Sequence, residues 1–465
     1  MPMKKFFTTK PEKSQLVEGD ITRSILLLAF PLLVRAVLQS FQAVIDMFWV
    51  GKLGSTSIAA VAMGGIVIMA LIPLLMGIST GTVAFISRNI GSHHYKQANK
   101  IATQSLIMAL IASFILVTLG FFVSGPLLKL LQARGEVLIL GQTYLKILLL
   151  GGVTMALLFV GGAILQGAGD PITPMRIMGV VTILNIILDP FLIFGLLGLP
   201  KMGVSGAALA TVLAQAIGAA LILFIIFKGK SHVHVILKKL TIDSHIMWGI
   251  IKIGIPSSIQ FFFRNLMMMV LISIVAGFGT YAIAAYGIVI RLRMLILMPA
   301  FALGQTTATL VGHNLGAGKK ERAARCAWKA TIFDMAIMSI SGLLLFVFSR
   351  QIISIFNNDP LVIEEGSRLL RITVPVLPFV ALAVILGSAM EGAGETVPPM
   401  VITVITLWGV QIPLAIILSK FLQWGTCGIW WAITITTVVN GSLIFGWFKR
   451  GRWKQKKLLH HEFNK

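Results

Sequence analysis

The sequence predicts an all-α integral membrane protein with twelve transmembrane helices in two six-helix lobes related by a parallel pseudo-two-fold repeat. Three observations lead there. The 465 residues are 57% hydrophobic and only 12% charged, with a mean hydropathy of +0.93, too little polar surface for a soluble domain of this size. Apolar stretches long enough to span a bilayer recur along the whole chain. The second half also repeats the first at a constant offset of 225 residues.

Twelve stretches are predicted in order: 24–50, 57–87, 101–123, 137–166, 174–199, 204–227, 247–276, 282–311, 326–349, 363–390, 398–421 and 427–448. A helix rises 1.5 Å per residue, so about 20 residues cross a hydrocarbon core of ~30 Å; the longest stretches must tilt or bend. The organisation that follows is a cytoplasmic N-terminus (1–23), an N-lobe (24–228), an inter-lobe linker (229–246), a C-lobe (247–448) and a basic tail (449–465).

A formal net charge of +23 invites a nucleic-acid reading, but the placement of the charge argues against one. Counted together with the adjoining segment ends, the N-terminus, the even-to-odd connections and the tail carry 26 of the 39 Lys and Arg; the odd-to-even connections carry 6 and the segment interiors 7. The positive-inside rule then puts both termini in the cytoplasm of a multi-pass plasma (inner) membrane protein. The tail "KRGRWKQKK" is read as a topology signal beside the membrane lipids rather than as a nucleic-acid site. The first 20 residues lack the order of a signal peptide, so the first apolar segment is retained as a helix. Cys326 and Cys427 are isolated and match neither a disulfide nor a metal spacing.

The repeat is clearest where "LQGAGDPITPM" (165–175) meets "MEGAGETVPPM" (390–400). The same offset pairs Pro31 with Pro256, Ile58-Ala59-Ala60 with Ile283-Ala284-Ala285, and Asn89 and Gly91 with Asn314 and Gly316. Six helices is an even number, so both halves enter from the same side and are related by an axis along the membrane normal.

Against this apolar background the intramembrane polar residues stand out. Of sixteen carboxylates only Asp46, Asp189 and Asp334 are candidates for lying well inside apolar segments, and Asp334 reads as interfacial, at the entrance of the ninth. An acid in lipid costs several kcal/mol and so marks a candidate functional position. Asn185 and Asp189 are four apart and share a helix face. A carboxamide and a carboxylate suit either a hard cation such as Na+ or a proton. Pro190 removes a backbone donor beside them and predicts a local bend. The offset partners of Asp46, Asn185 and Asp189 are Leu271, Val410 and Leu414, so the polar cluster belongs to one lobe alone.

Together "VIDMFWVGKLGSTSIAAVAM", "LQGAGDPITPM", "NIILDPFLIFG", "GVSGAALATVLAQ" and "LVGHNLGAGKKERA" resemble the multidrug and toxic compound extrusion (MATE) family over nearly the whole chain. The acid of the first helix with the Asn and Asp of the fifth is most similar to the branch of DNA-damage-inducible and archaeal members. The resemblance implies a monomeric secondary antiporter, not an enzyme, that exports small amphipathic, often cationic compounds against H+ or Na+. It requires no cofactor beyond that coupling ion. It also implies that Thr211, Tyr144 and Gln39 line or brace the N-lobe cation site with Asp46, Asn185 and Asp189, with Asp46, Asn185, Asp189 and Thr211 as ligands if the ion is Na+.

In the C-lobe, "QFFFRNLMMMV" offers Arg264, Asn265 and Met268 as candidate substrate-cavity residues, although consecutive methionines are as readily used for packing. Arg264 reads as nearly the lone cationic residue of such a cavity. That argues against the rival reading as a lipid-linked oligosaccharide flippase of the same superfamily, which needs several cations for pyrophosphate. A non-transporting membrane receptor, the other rival, leaves the duplicated frame with one-sided acids unexplained. "GHNLGAGKK" departs from a phosphate loop in glycine spacing and has Lys320 where Ser or Thr is required. His93-His94 and His460-His461 read as solvated.

Overall fold

The computed structural model describes residues 13–229, 231, 233–235 and 242–458; His460 and His461 lie outside the described residues. The described residues form helices and connections, with no strand. The N-lobe comprises α1 (Ile21–Gly51), α2 (Ser55–Gly91), α3 (Tyr95–Leu130), the bent pair α4 (Gly135–Leu150 and Gly152–Gly167, 49° apart), α5 (Ile172–Phe194) and α6 (Val204–Phe227). The C-lobe comprises α7 (Ser244–Ala276), α8 (Thr280–Gly316), α9 (Lys320–Val347), the bent pair α10 (Pro360–Thr373 and Leu377–Gly392, 59° apart), α11 (Val397–Phe421) and α12 (Thr426–Lys449). Among the described residues ten helices are long and apolar enough to cross a membrane, or twelve if each bent pair is one span. Large apolar side chains such as Phe114, Ile183 and Leu343 stand exposed on the outside, where lipid rather than water is the natural solvent.

The repeat holds in the backbone itself. α2 and α8 are each 37 residues long and start 225 residues apart. Both are preceded by a glycine, Gly54 and Gly279, with φ 108° and ψ 171°, a conformation that a Cβ would strain. Gly169 and Gly394 share φ 83° after the fourth and tenth helices. The halves differ in the C-lobe, where α10 and α11 contain π-helical turns at Leu382–Leu386, Ile405–Gln411 and Ile417–Phe421. Such turns shift helix register and leave carbonyls without intrahelical donors.

The lobes meet closely through small residues. A Cβ on Gly77 would lie 2.5 Å from the Gly254 carbonyl oxygen, and one on Gly254 would lie 2.7 Å from that of Gly77, so α2 and α7 cross in backbone contact. At the end of α2 and α8 nearest the termini, Gly91 abuts the His313 carbonyl and Gly316 that of Arg88. The His313 ring hydrogen-bonds the Gly167 carbonyl at 3.0 Å, and the Asn314 amide donates to the Leu16 carbonyl at 3.3 Å. Both ends of the described chain lie on this face, because Lys319 pairs with Glu18 at 3.1 Å and Lys454 with Glu321 at 2.9 Å. Part of the linker is pinned to α3: Lys100 pairs with Asp243 at 2.7 Å, and the Gln104 side chain accepts from the Asp243 amide at 3.1 Å.

One sequence expectation needs correction here. Asp334 is not interfacial: α9 begins at Lys320 rather than 326, so Asp334 sits well inside the helix, fully buried, with neither carboxylate oxygen hydrogen-bonded. Pro190 is accommodated within a continuous helix. α5 runs continuously from Ile172 to Phe194, with Pro190 in its last turns, where it leaves the Ile186 carbonyl without its intrahelical donor.

Candidate functional site

Four N-lobe helices bring polar side chains together. α5 carries Asn185 and Asp189 on one face, both fully buried. The Asn185 amide donates to Asp189 Oδ1 and to Thr211 Oγ1 of α6, each at 3.4 Å. The Thr211 hydroxyl in turn donates to the Ala207 carbonyl at 3.1 Å. α6 can come this near because Gly206 lies against the Leu192 carbonyl, where a Cβ would collide with backbone. α1 delivers Asp46, whose carboxyl group lies within hydrogen-bonding reach of Asp189. The ring of Tyr144 packs against Gly64 and senses the charge of both acids.

What the cluster lacks is donors. Asp46 Oδ1, Asn185 Oδ1 and Asp189 Oδ2 are buried without a hydrogen-bond partner, and one turn earlier on α5 so is Thr182 Oγ1. Two carboxyl groups facing each other offer only acceptors unless one carries a proton, and a buried acceptor left unmade costs about 1–3 kcal/mol. A proton between the acids or a hard cation among these oxygens supplies the missing positive charge, so the donor set fits either. By contrast Asp170, in the repeated motif, is satisfied by the Thr173 amide at 3.1 Å and its hydroxyl at 2.8 Å, a structural role at the start of α5.

Gln39 lies elsewhere. It lines a cavity of about 200 Å³ between the lobes, walled by α1, α2 and α4 on one side and α7, α8 and α10 on the other. Among its other polar lining residues are Arg35, Gln166, Gln305 and Glu391. Arg264, Asn265 and Met268 are not among its lining residues. Arg264 lies behind Glu391, near enough for their charges to attract; the Asn265 amide donates to the Met69 carbonyl at 3.4 Å; and Met268 is half-buried on α7.

Sequence reasoning missed Arg35 and Glu391, and both left a signal. Arg35 stands one turn before Gln39, and Glu391 is the offset partner of Gln166 inside the quoted repeat. The expectation that Arg264 is nearly alone is corrected accordingly: Arg35, not Arg264, is the cation exposed to the cavity.

The family model for MatE matches residues 31–191 and again 256–417, two copies beginning 225 residues apart. The chain belongs to the MATE family. Among curated relatives of this MATE chain, a probable multidrug resistance protein NorM of Thermotoga maritima is 30% identical over 95% of both chains. An FAD transporter of Shewanella oneidensis is 26% identical over 92% of this chain and 95% of its own. Among solved structures, a multidrug resistance MATE transporter in an outward-facing conformation superposes with a TM-score of 0.88 at 26% identity, covering 97% of this chain and all of its own.

Proposed function

We propose that this MATE-family transporter exports small amphipathic organic compounds, cations among them, by antiport against H+ or Na+, with the coupling ion bound in the N-lobe. The observation that carries the reading is the one-sided cluster of Asp46, Asn185, Asp189, Thr211 and Tyr144, with three buried oxygens lacking donors. The C-lobe has Leu271, Val410 and Leu414 at the offset positions, so one lobe holds the ion while its twin supplies frame. The acid in α1 with Asn and Asp in α5 supports placing the chain in the branch of DNA-damage-inducible and archaeal members.

The ion's entry neutralises the facing acids and draws α1, α5 and α6 around it. The changed packing disfavours the substrate-bound form and releases substrate outward; unloading toward the cytoplasm restores affinity. Rocking of the lobes opens each side in turn, and the face carrying both termini is the cytoplasmic one, in keeping with its basic charge. Gln39, one wall away, belongs to the substrate path rather than to the ion. The flippase and receptor alternatives are not favoured, since the duplicated frame and the MatE match both point to a MATE transporter.

The reading is tested with purified protein in liposomes at clamped membrane potential, with pH and Na+ gradients imposed separately on a preloaded fluorescent cation. Efflux driven by at least one of the two gradients is expected. Efflux that ignores both would overturn antiport.

A further inference from the structure

The face opposite the described chain ends carries an arginine cluster that ion coupling does not use. α9 begins where Lys319 pairs with Glu18, and its 28 residues rise about 42 Å at 1.5 Å each, the ~40–45 Å of a bilayer with its headgroups. The short helix Ser349–Phe356 that follows therefore stands at headgroup level. Its Arg350 shares a cavity of about 280 Å³ with Arg368, Arg371 and Glu364 of α10. Arg368 is already held by Glu364 at 2.8 Å and Glu365 at 3.5 Å, and Glu365 also accepts from the Trp430 indole at 2.7 Å. Arg371 donates from Nε to Ser349 Oγ at 3.0 Å, which keeps its guanidinium at the level of Arg350. Among the described residues neither Arg350 nor Arg371 pairs with an acid. Three guanidinium groups against two carboxylates leave one positive charge in excess. Neither topology nor the repeated frame calls for it: the positive-inside rule disfavours cations on this face, and the offset positions of Arg350 and Arg368 are Gly125 and Thr143. The backbone departs from the repeat at the same place, since α3 runs unbroken over Tyr95–Leu130 whereas its C-lobe twin is interrupted at Phe348.

We infer that this cavity binds the phosphodiester of an anionic phospholipid from the leaflet on this side, with the phosphate between Arg350 and Arg371. Each guanidinium presents a planar fork of donors matched to phosphate oxygens, and the single negative charge of a diester meets the single positive charge in excess. The surface below selects a lipid over free phosphate. Ile340, Leu343 and Val347 form one exposed apolar face of α9 that leads up to Arg350, a bed for acyl chains. Ile355 and Phe356 stand exposed on the short helix and Leu361 at the start of α10, apolar anchors of the kind an interfacial segment presents to lipid. A phosphate held by both guanidinium groups ties the short helix to the first arm of α10.

Lipid binding is read by native mass spectrometry of the purified full-length protein titrated with phosphatidylglycerol or with phosphatidylcholine of the same chains, whose choline restores a positive charge. No ion gradient is present, so failure here leaves the antiport reading untouched. The wild type is expected to take one phosphatidylglycerol about tenfold to a hundredfold more tightly than phosphatidylcholine, the range of a charge-assisted hydrogen bond. Arg350→Gln, at an exposed residue without a partner among the described residues, should leave folding unchanged and cut that preference about tenfold. Adding Arg371→Gln should abolish it. Lys456→Gln with Lys457→Gln, in the basic tail on the other face, controls for attraction of anionic lipid to any cation and should keep the tight site. Excess inorganic phosphate, which has no chains, should not displace the lipid. Equal affinity for the two lipids in the wild type, a preference that survives in the double arginine variant or one lost in the tail variant would overturn the inference, and displacement by inorganic phosphate would overturn the assignment to lipid.

Discussion

Each polar residue in the N-lobe has a distinct share in the site, and the shares predict different losses. Thr211→Val removes the hydroxyl 3.4 Å from the Asn185 amide and nothing else of comparable size. It should weaken the driving ion by about fivefold, the worth of one modest hydrogen bond, read as a shift in the ion concentration giving half-maximal efflux. Gly64→Ala places a methyl 2.8 Å from the Tyr144 ring and should displace it, lowering ion affinity while the helix itself tolerates Ala well. At this scale the sequence was informative where chemistry is expensive. Asp46 and Asp189 were legible because an acid in lipid needs a reason, and Asn185 because helical spacing ties it to Asp189. Gln39 was assigned to the ion site on the resemblance, whereas its side chain lines the interlobe cavity. Position along α1 does not reveal whether a side chain faces the polar cluster or the interlobe cavity. Asp334 was passed over because its depth depends on where α9 begins, and the cytoplasmic turns of a membrane helix are too polar to be counted as apolar span.

Helices rather than single residues determine how near these groups come. Gly206→Ala would drive a methyl into the Leu192 carbonyl and part α5 from α6, an overpacking cost of about 1–3 kcal/mol visible as a lower unfolding temperature, with loss of ion affinity. The entry of α7 is controlled electrostatically. Asp243 caps that helix, accepting from the His245 and Ile246 amides at 3.1 and 3.2 Å. Burial works against its carboxylate, but the Lys100 ammonium and these amides outweigh burial and hold the group below the usual carboxylate range. A group lowered on folding contributes stability that is present above its unfolded value and lost as pH falls through the folded one, so this anchor should weaken below about pH 4. Asp243→Ala should cost about 1 kcal/mol at neutral pH and remove that acid-side slope in thermal unfolding. The helices themselves were legible to within seven residues at either end, from 101–123 against Tyr95–Leu130 at worst, because apolar runs end at charge and glycine. The bends in α4 and α10 and the π turns of α11 were not, since they depend on packing between helices rather than on local composition.

The whole molecule is two copies of one frame, of which only one carries the facing pair Asp46 and Asp189, and it is closed at the face where both ends of the described chain lie. That closure rests on backbone contact at Gly91 and Gly316 and on the hydrogen bonds of His313 and Asn314. Moving substrate requires it to open. Cysteines at Ser92 and Ala317, flanking the Gly91–Gly316 contact, should therefore halt efflux when cross-linked and restore it on reduction; undiminished efflux in the cross-linked protein would rule out rocking about this seam. The duplication was legible from the 225-residue offset alone, whereas the charge of the central cavity was not, because Arg35 and Glu391 lie 356 positions apart and meet only through the fold. Ion coupling through one lobe is tested most directly by gradient-driven efflux from liposomes containing the wild type, Asp46→Asn or Asp189→Asn. Each variant should still bind substrate but lose at least about nine-tenths of the gradient-driven rate, as expected when an ion site loses a charged ligand. Full gradient-driven efflux in both variants would contradict it.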